Sequence, residues 1–198
     1  MRLFVFVRHA ESALNIERRV NGDPDVDVPL TEEGEAQAHR LGLEVANVPF
    51  DACIHTRFPR TRLTAELALA GRNIPMTAEP LLDDIDIGEL EGVSLEVYRA
   101  WKHSHSRSSA FPGGESLDDA ASRYVEAFRE LLTQPFDNFL IVTHEIPIRY
   151  ALNGAMGSDS LDGPAHEVAN AVPYLFDEDS LGRAANRIEE ILAGTLSA

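Results

Sequence analysis

Leu3, Phe4, Val5, Phe6 and Val7 form an unbroken apolar, β-prone run. A strand buried on both faces, as in a parallel sheet, reads this way. Residues 139–143 repeat the signal, 50–54 and 172–176 give shorter versions, and 74–78 a weaker one. Between these runs the apolar residues recur at helical spacing. Thr31 before Glu32 and Glu33 predicts a hydroxyl N-cap with acids in the first turn, which suit the helix dipole. That helix should run to about Ala46, ahead of Pro49. Pro59 suits the first turn of a second helix that ends before Gly71. Ser116, with Asp119 three residues on, predicts a helix to about Leu132, ahead of Pro135. Residues 148–156 and 181–192 read as further helices.

Strands alternating with helices imply right-handed crossovers. The expected fold is therefore α/β, a three-layer sandwich with a mostly parallel central sheet flanked by helices. Two segments break the alternation. Residues 20–29 make an acidic loop containing Gly22, Pro24 and Pro29. Residues 103–114 are polar and turn-rich, and with their surroundings (about 94–115) read as a small cap or insertion over one end of the sheet. No repeat or linker divides the chain, so residues 1–198 read as a single domain.

Composition narrows the function. The 198 residues are 44% hydrophobic and 25% charged, as in ordinary globular proteins. No stretch approaches the ~18 apolar residues of a membrane span, and the first apolar run is too short for a signal peptide. A cytoplasmic location is expected. Cys53, the single cysteine, cannot form an internal disulfide or a cysteine cage for zinc. A net charge of −16 argues against nucleic acid or an acidic membrane as partner. Lys102 is the only lysine, and arginines gather in the first third of the chain. Local arginines in a repelling background suit an anion site.

Ligands in open α/β sheets bind beyond the carboxyl ends of strands. Arg8 and His9 follow the first strand, and His144 follows the strand at 139–143. If those strands are neighbours, two imidazoles and an arginine share one pocket. Other signals fail. His144 and Glu145 open like a His-Glu-x-x-His zinc helix, but Ile148 stands where the second His belongs and Pro147 should disrupt the helix. Asp23, Asp25 and Asp27 mimic a calcium loop, but Val28 replaces the glycine and Gly34 the final glutamate. His103 and His105 read as a solvated loop before they read as metal ligands.

Arg8, His9, Ala10 and Glu11, then Asn15, Arg19, Gly22 and Pro29 to Thr31, resemble the opening of the histidine phosphatase (phosphoglycerate mutase-like) superfamily. The resemblance continues at Asp51, Arg60, Thr64 and Ala65. It runs on through Leu82, Gly88, Glu91 and Gly92, then Pro112 to Ser116, and ends at Thr143, His144, Ile148 and Arg149. It implies that His9 is a nucleophile forming a phosphohistidine, with Arg8, Arg60 and His144 around the phosphoryl group. Asn15, Arg19, Asn21, Gly22 and Glu145 would complete the substrate contacts, with Asn170 a late addition. The family's glutamate proton donor falls here on Asp84, four residues before Gly88; Asp83 and Asp86 suit a solvated acidic loop better. No metal and no cofactor is implied.

Three departures stand out. Ala10 replaces a usual glycine and is strained only if its φ is positive. His55 and Thr56 replace a serine pair, with His55 either lining the pocket or structural. Glu145, Ile146 and Pro147 replace a glycine-rich turn. A carboxylate at 145 would repel phosphate, so it is expected to point away or to meet a cationic substrate group. The expected activity is a metal-independent phosphomonoesterase. The alternatives are a phosphoglycerate mutase-type phosphotransferase and a catalytically inactive phospho-ligand binder. The expected partner is a small phosphorylated metabolite, with Lys102, His103, His105 and Arg107 as further anion contacts. A homodimer is left open.

Overall fold

The computed structural model describes residues 2–194. Five strands, β1 (Leu3–Arg8), β2 (Ala52–His55), β3 (Met76–Ala78), β4 (Asn138–Thr143) and β5 (Pro173–Phe176), form one sheet in the order β3-β2-β4-β1-β5. β1, β4, β2 and β3 are parallel, and β5 joins the edge of β1 antiparallel. The helices are α1 (Ala13–Ile16), α2 (Glu32–Glu44), α3 (Pro59–Ala68), α4 (Leu95–Ser104), α5 (Leu117–Thr133), α6 (Glu145–Ala155) and α7 (Glu178–Leu192).

Side-chain alternation in the two central strands decides the layering. Phe4, Phe6, Phe139 and Ile141 enter one face and meet Tyr124 and Phe128 of α5, Ile148 and Tyr150 of α6, and Leu181 and Ile188 of α7. Val5, Val7, Leu140 and Val142 enter the other, against Ala38 and Leu41 of α2 and Ala65 and Ala68 of α3. All eight strand side chains are fully buried. Each contributes roughly 1.5–3 kcal/mol relative to exposure. Helices cover both faces, which is why the strands need no polar alternation.

Two elements differ from expectation. The cap contains a helix, α4, where a loop was expected to begin at His103. Ser94 Oγ accepts from Val97 N (3.3 Å) to start it. Its N-terminus is tied to the chain after α1 by Leu95 N donating to Arg18 O (2.8 Å) and Val20 N to Val93 O (3.1 Å). Pro147 does not disrupt α6: it lies in the first turn, where no intrahelical N–H bond is lost.

The segment between β3 and α4 carries two short 3₁₀ turns, Pro80–Leu82 and Gly88–Leu90. Gly88 has φ +51°, and a Cβ there would lie 2.2 Å from the Pro112 carbonyl oxygen. Arg123 of α5 fixes the segment by donating to Leu81 O (2.8 Å) and Asp83 O (3.0 Å). It also pairs with Glu115 at 2.5 Å, both side chains being mostly buried. Arg123→Ala strands these acceptors and should cost roughly 3 kcal/mol. Arg18→Ala, which breaks only the exposed pair with Glu96, should leave stability nearly unchanged. Urea unfolding of the two variants side by side checks the difference.

Candidate active site

The register of β1 on β4 pairs Arg8 with Thr143, and His9 N extends the ladder to Thr143 O (2.9 Å). The next residue of each chain is therefore a histidine at the same end of the sheet. The two rings lie 5.5 Å apart between centroids, inclined by 63°. His9 Nδ1 donates to Ala10 O at 2.8 Å, which leaves Nε2 unprotonated and without a protein partner among the described residues. Two side chains steady this turn: Thr64 Oγ1 accepts from Ala10 N (3.0 Å), and Asn170 Nδ2 donates to His9 O (2.7 Å). Ala10 has no positive φ, so it carries no strain there. Burial, then the Arg60 and Arg8 charges, hold the His9 imidazolium pKa well below 6.5. The ring is neutral at physiological pH and lines a cavity of about 490 Å³.

Arg60 sits in the first turn of α3 and is almost fully buried. Asn21 accepts both its Nη1, through Oδ1, and its Nη2, through the backbone carbonyl (3.3 Å). The guanidinium lies over the Phe58 ring, 4.3 Å from the centroid. Burial brings its pKa down to about 10, so it stays charged. Nη2 also reaches His144 Nδ1 (3.2 Å) and Asp84 Oδ2 (3.4 Å). His144 is held from behind by Thr56 Oγ1, 2.9 Å from Nε2, and Thr56 in turn meets Thr61 Oγ1 (2.8 Å). Burial first, then Arg60, depress the His144 pKa strongly.

Asp84 completes the cluster, with Oδ2 3.4 Å from His144 Nδ1. Its side chain keeps 27% of its surface exposed, and it lines the cavity. Burial raises its pKa above the usual aspartate value, outweighing the pull of Arg60 and of the Ile85 amide; the Glu145 charge adds to the rise. Asp83 is not part of a solvated loop. It is buried and accepts from Arg57 N (2.9 Å) and Nε (2.6 Å). Asp86 is confined to a turn, where it accepts from Gly88 N.

The remaining expected residues divide. Asn15 lines the cavity, its Oδ1 engaged by Ser12 N (3.0 Å). Arg19 lines it as well and donates Nε to Gly92 O (2.6 Å). Asn21 acts through Arg60. Gly22 borders the cavity, but its amide is committed to Glu91 Oε2 (2.7 Å), so it is no anion donor. A Cβ on Gly22 would lie 2.1 Å from Ile85 O, and this close approach is what the glycine serves. Glu145 does not point away: it enters the cavity and pairs with Arg8 Nη1 at 3.0 Å. His55 does not line the cavity; its Nδ1 bonds Thr56 O. In the cap, Lys102 lines the cavity, while Arg107 is turned onto Asp118, Asp162 and Tyr150. His105 stacks on Trp101 and His103 bonds Arg99 O.

Two groups escaped the sequence reading. Thr56 was seen only as a retained hydroxyl, and its contact with His144 spans 88 residues. Tyr98 lines the cavity from α4; the spacing of Leu95, Tyr98 and Lys102 after Ser94 was the signal that could have located it. Seven basic side chains (Arg8, Arg18, Arg19, Arg60, Arg99, Lys102 and Arg149) line the cavity against three acids, Glu11, Asp84 and Glu145. In a chain of net charge −16, this is a local reversal of sign suited to an anion. Among the described residues no three His, Cys, Asp or Glu side chains group to hold a metal ion, and no helix is long and apolar enough to cross a membrane.

The chain is 30% identical to 2,3-bisphosphoglycerate-dependent phosphoglycerate mutase 2 of Gloeobacter violaceus, over 92% of this chain and 88% of that one. The crystal structure of the alpha-ribazole phosphatase from Shigella flexneri superposes with a TM-score of 0.76 at 26% identity, covering 88% of this chain and 90% of that one. Bacillus stearothermophilus YhfR superposes at 0.78 with 28% identity, over 88% and 90% respectively. Residues 4–190 match the family model of branch 1 of the histidine phosphatase superfamily, and the chain belongs to that family.

Proposed function

We propose that the protein is a metal-independent phosphomonoesterase that works through a phosphohistidine on His9. One observation carries this reading: His9 is locked with Nδ1 on its own chain and a free Nε2, beside two arginines in one cavity. A neutral imidazole with a free lone pair can attack phosphorus. Arg8 and Arg60 stabilise the charge on the equatorial oxygens, which favours the transition state most where the donors are already fixed. His144 supplies a third contact. Asp84, its pKa raised by burial, gives its proton to the departing alkoxide. As the base it then takes a proton from the water that releases phosphate from His9.

The cavity is bounded by α1, α4 and the start of α6, a volume suited to a small metabolite. A mutase reading is favoured by the name of the Gloeobacter relative. Incubation with 3-phosphoglycerate, with and without 2,3-bisphosphoglycerate, separates the two. Free phosphate is the expected product; 2-phosphoglycerate formed only with the bisphosphate would establish a mutase. An inactive phospho-ligand binder would give neither.

Rapid quenching with a labelled ester should trap an acid-labile, alkali-stable phosphoenzyme that His9→Ala does not form. Asp84→Asn should lower kcat/KM for alkyl phosphates by about 10²–10³. For an aryl phosphate with a good leaving group the loss should be under about tenfold, and equal losses would remove Asp84 from the acid role.

The pKa directions also set the pH profile. His9 must be neutral, and its pKa lies well below 6.5, so activity should rise with pH only in the acidic range. Asp84 must be protonated, and its pKa is raised from 3.8, so activity should fall as pH passes that raised value. Asp84→Asn should abolish the falling limb of kcat/KM and leave the rising one.

A further inference from the structure

Glu145 places a carboxylate inside an anion cavity, and in the phosphatase chemistry above it does no more than add to the raised pKa of Asp84. Its Oε2 lies 3.0 Å from Arg8 Nη1, and its Oε1 lies 3.5 Å from Arg149 Nη1, one helical turn along α6. Arg8 Nη1 also donates to Val168 O at 2.8 Å. Arg8 Nε is buried and unpartnered. Among the described residues Nη1 is thus the nitrogen of Arg8 that protein groups engage.

A phosphoryl group gains most from an arginine through two parallel N–H bonds. Arg8 Nη1 is bonded to Val168 O and carries the Glu145 carboxylate at 3.0 Å, so a phosphoryl group that approaches Nη1 and Nη2 together meets that negative charge. Paired binding through these two nitrogens therefore requires Glu145 to release Nη1. Arg149 stands ready to receive it, already in contact with the other carboxylate oxygen.

We infer that Glu145 is an internal competitor for the phosphoryl site, exchanging between Arg8 when the cavity is empty and Arg149 when a phosphoryl group is bound. This rests on the phosphatase reading and adds a step to it. After hydrolysis the carboxylate returns to Arg8 and displaces inorganic phosphate. Repulsion between two anions sharing one guanidinium drives the exchange. The enzyme thereby trades affinity for release, and orthophosphate becomes a weak inhibitor.

Glu145→Gln tests this, because glutamine keeps the size and can still accept from Arg8 while the charge is lost. Calorimetric titration with inorganic phosphate should show Kd falling about tenfold or more. The competitive inhibition constant of phosphate and the KM for p-nitrophenyl phosphate should fall with it, and kcat should drop as release slows. Phosphate binding that is unchanged or weaker, with a raised KM, would overturn the inference and make Glu145 a brace for Arg8. Glu145→Gly carries the same expectations if the glutamine variant does not fold. Binding is read without turnover. A chain that bound phosphate but hydrolysed no ester would therefore refute the phosphatase reading and leave this test intact.

Discussion

Parallel pairing of β1 with β4 is the constraint on which the site depends. Arg8 lies opposite Thr143, and the ladder extends one bond further, from His9 N to Thr143 O. Both chains then leave the sheet with a histidine as the next residue. The same register sends Phe4, Phe6, Phe139 and Ile141 to one face and the intervening valines and leucine to the other. A slip of one residue would move all of these side chains to the wrong layer. Hydrophobic layering therefore enforces the register, and the register brings the imidazoles together.

One physical effect gives the cluster its chemistry by acting oppositely on two residues. Burial disfavours charge. On His9 it removes a proton, and the guanidiniums reinforce it. On Asp84 it raises the pKa, and Arg60 only partly opposes it. A neutral imidazole and a carboxyl of raised pKa thus coexist within one cavity. Arg60 tolerates the same environment because Asn21, Phe58 and the nearby carboxylate compensate its lost hydration.

The sequence exposed whatever depends on local spacing. The continuous apolar runs marked the central strands, because helices on both faces leave no polar side to show. Thr31, Pro59 and Ser116 marked helix starts through their own backbone demands. Arg8, His9 and His144 were legible because each ends or follows a predicted strand, whereas Arg60 and Asp84 were placed by the family resemblance. What stayed hidden was direction. Spacing alone does not say whether Glu145 turns inward, that the amide of Gly22 is claimed by Glu91 some 69 residues away, or that Arg107 faces Asp162 instead of the cavity. α4 was hidden for another reason: its apolar residues, Leu95, Tyr98 and Trp101, run straight into the polar, turn-rich segment from His103, and none of them is fully buried.

The threonine pair behind His144 has one more consequence. Hydroxyls both give and take a hydrogen, and their orientation is set by rotation about a single bond. Thr56, with Thr61 behind it, can thus present either a lone pair or a proton to His144 Nε2 without any displacement of carbon, nitrogen or oxygen. The opposite nitrogen, next to Arg60 and Asp84, takes the complementary form. With Arg60 Nη2 at 3.2 Å and Asp84 Oδ2 at 3.4 Å, it has both a donor and an acceptor within reach. A ring of fixed position is thus backed by a hydroxyl that can change polarity by rotation alone.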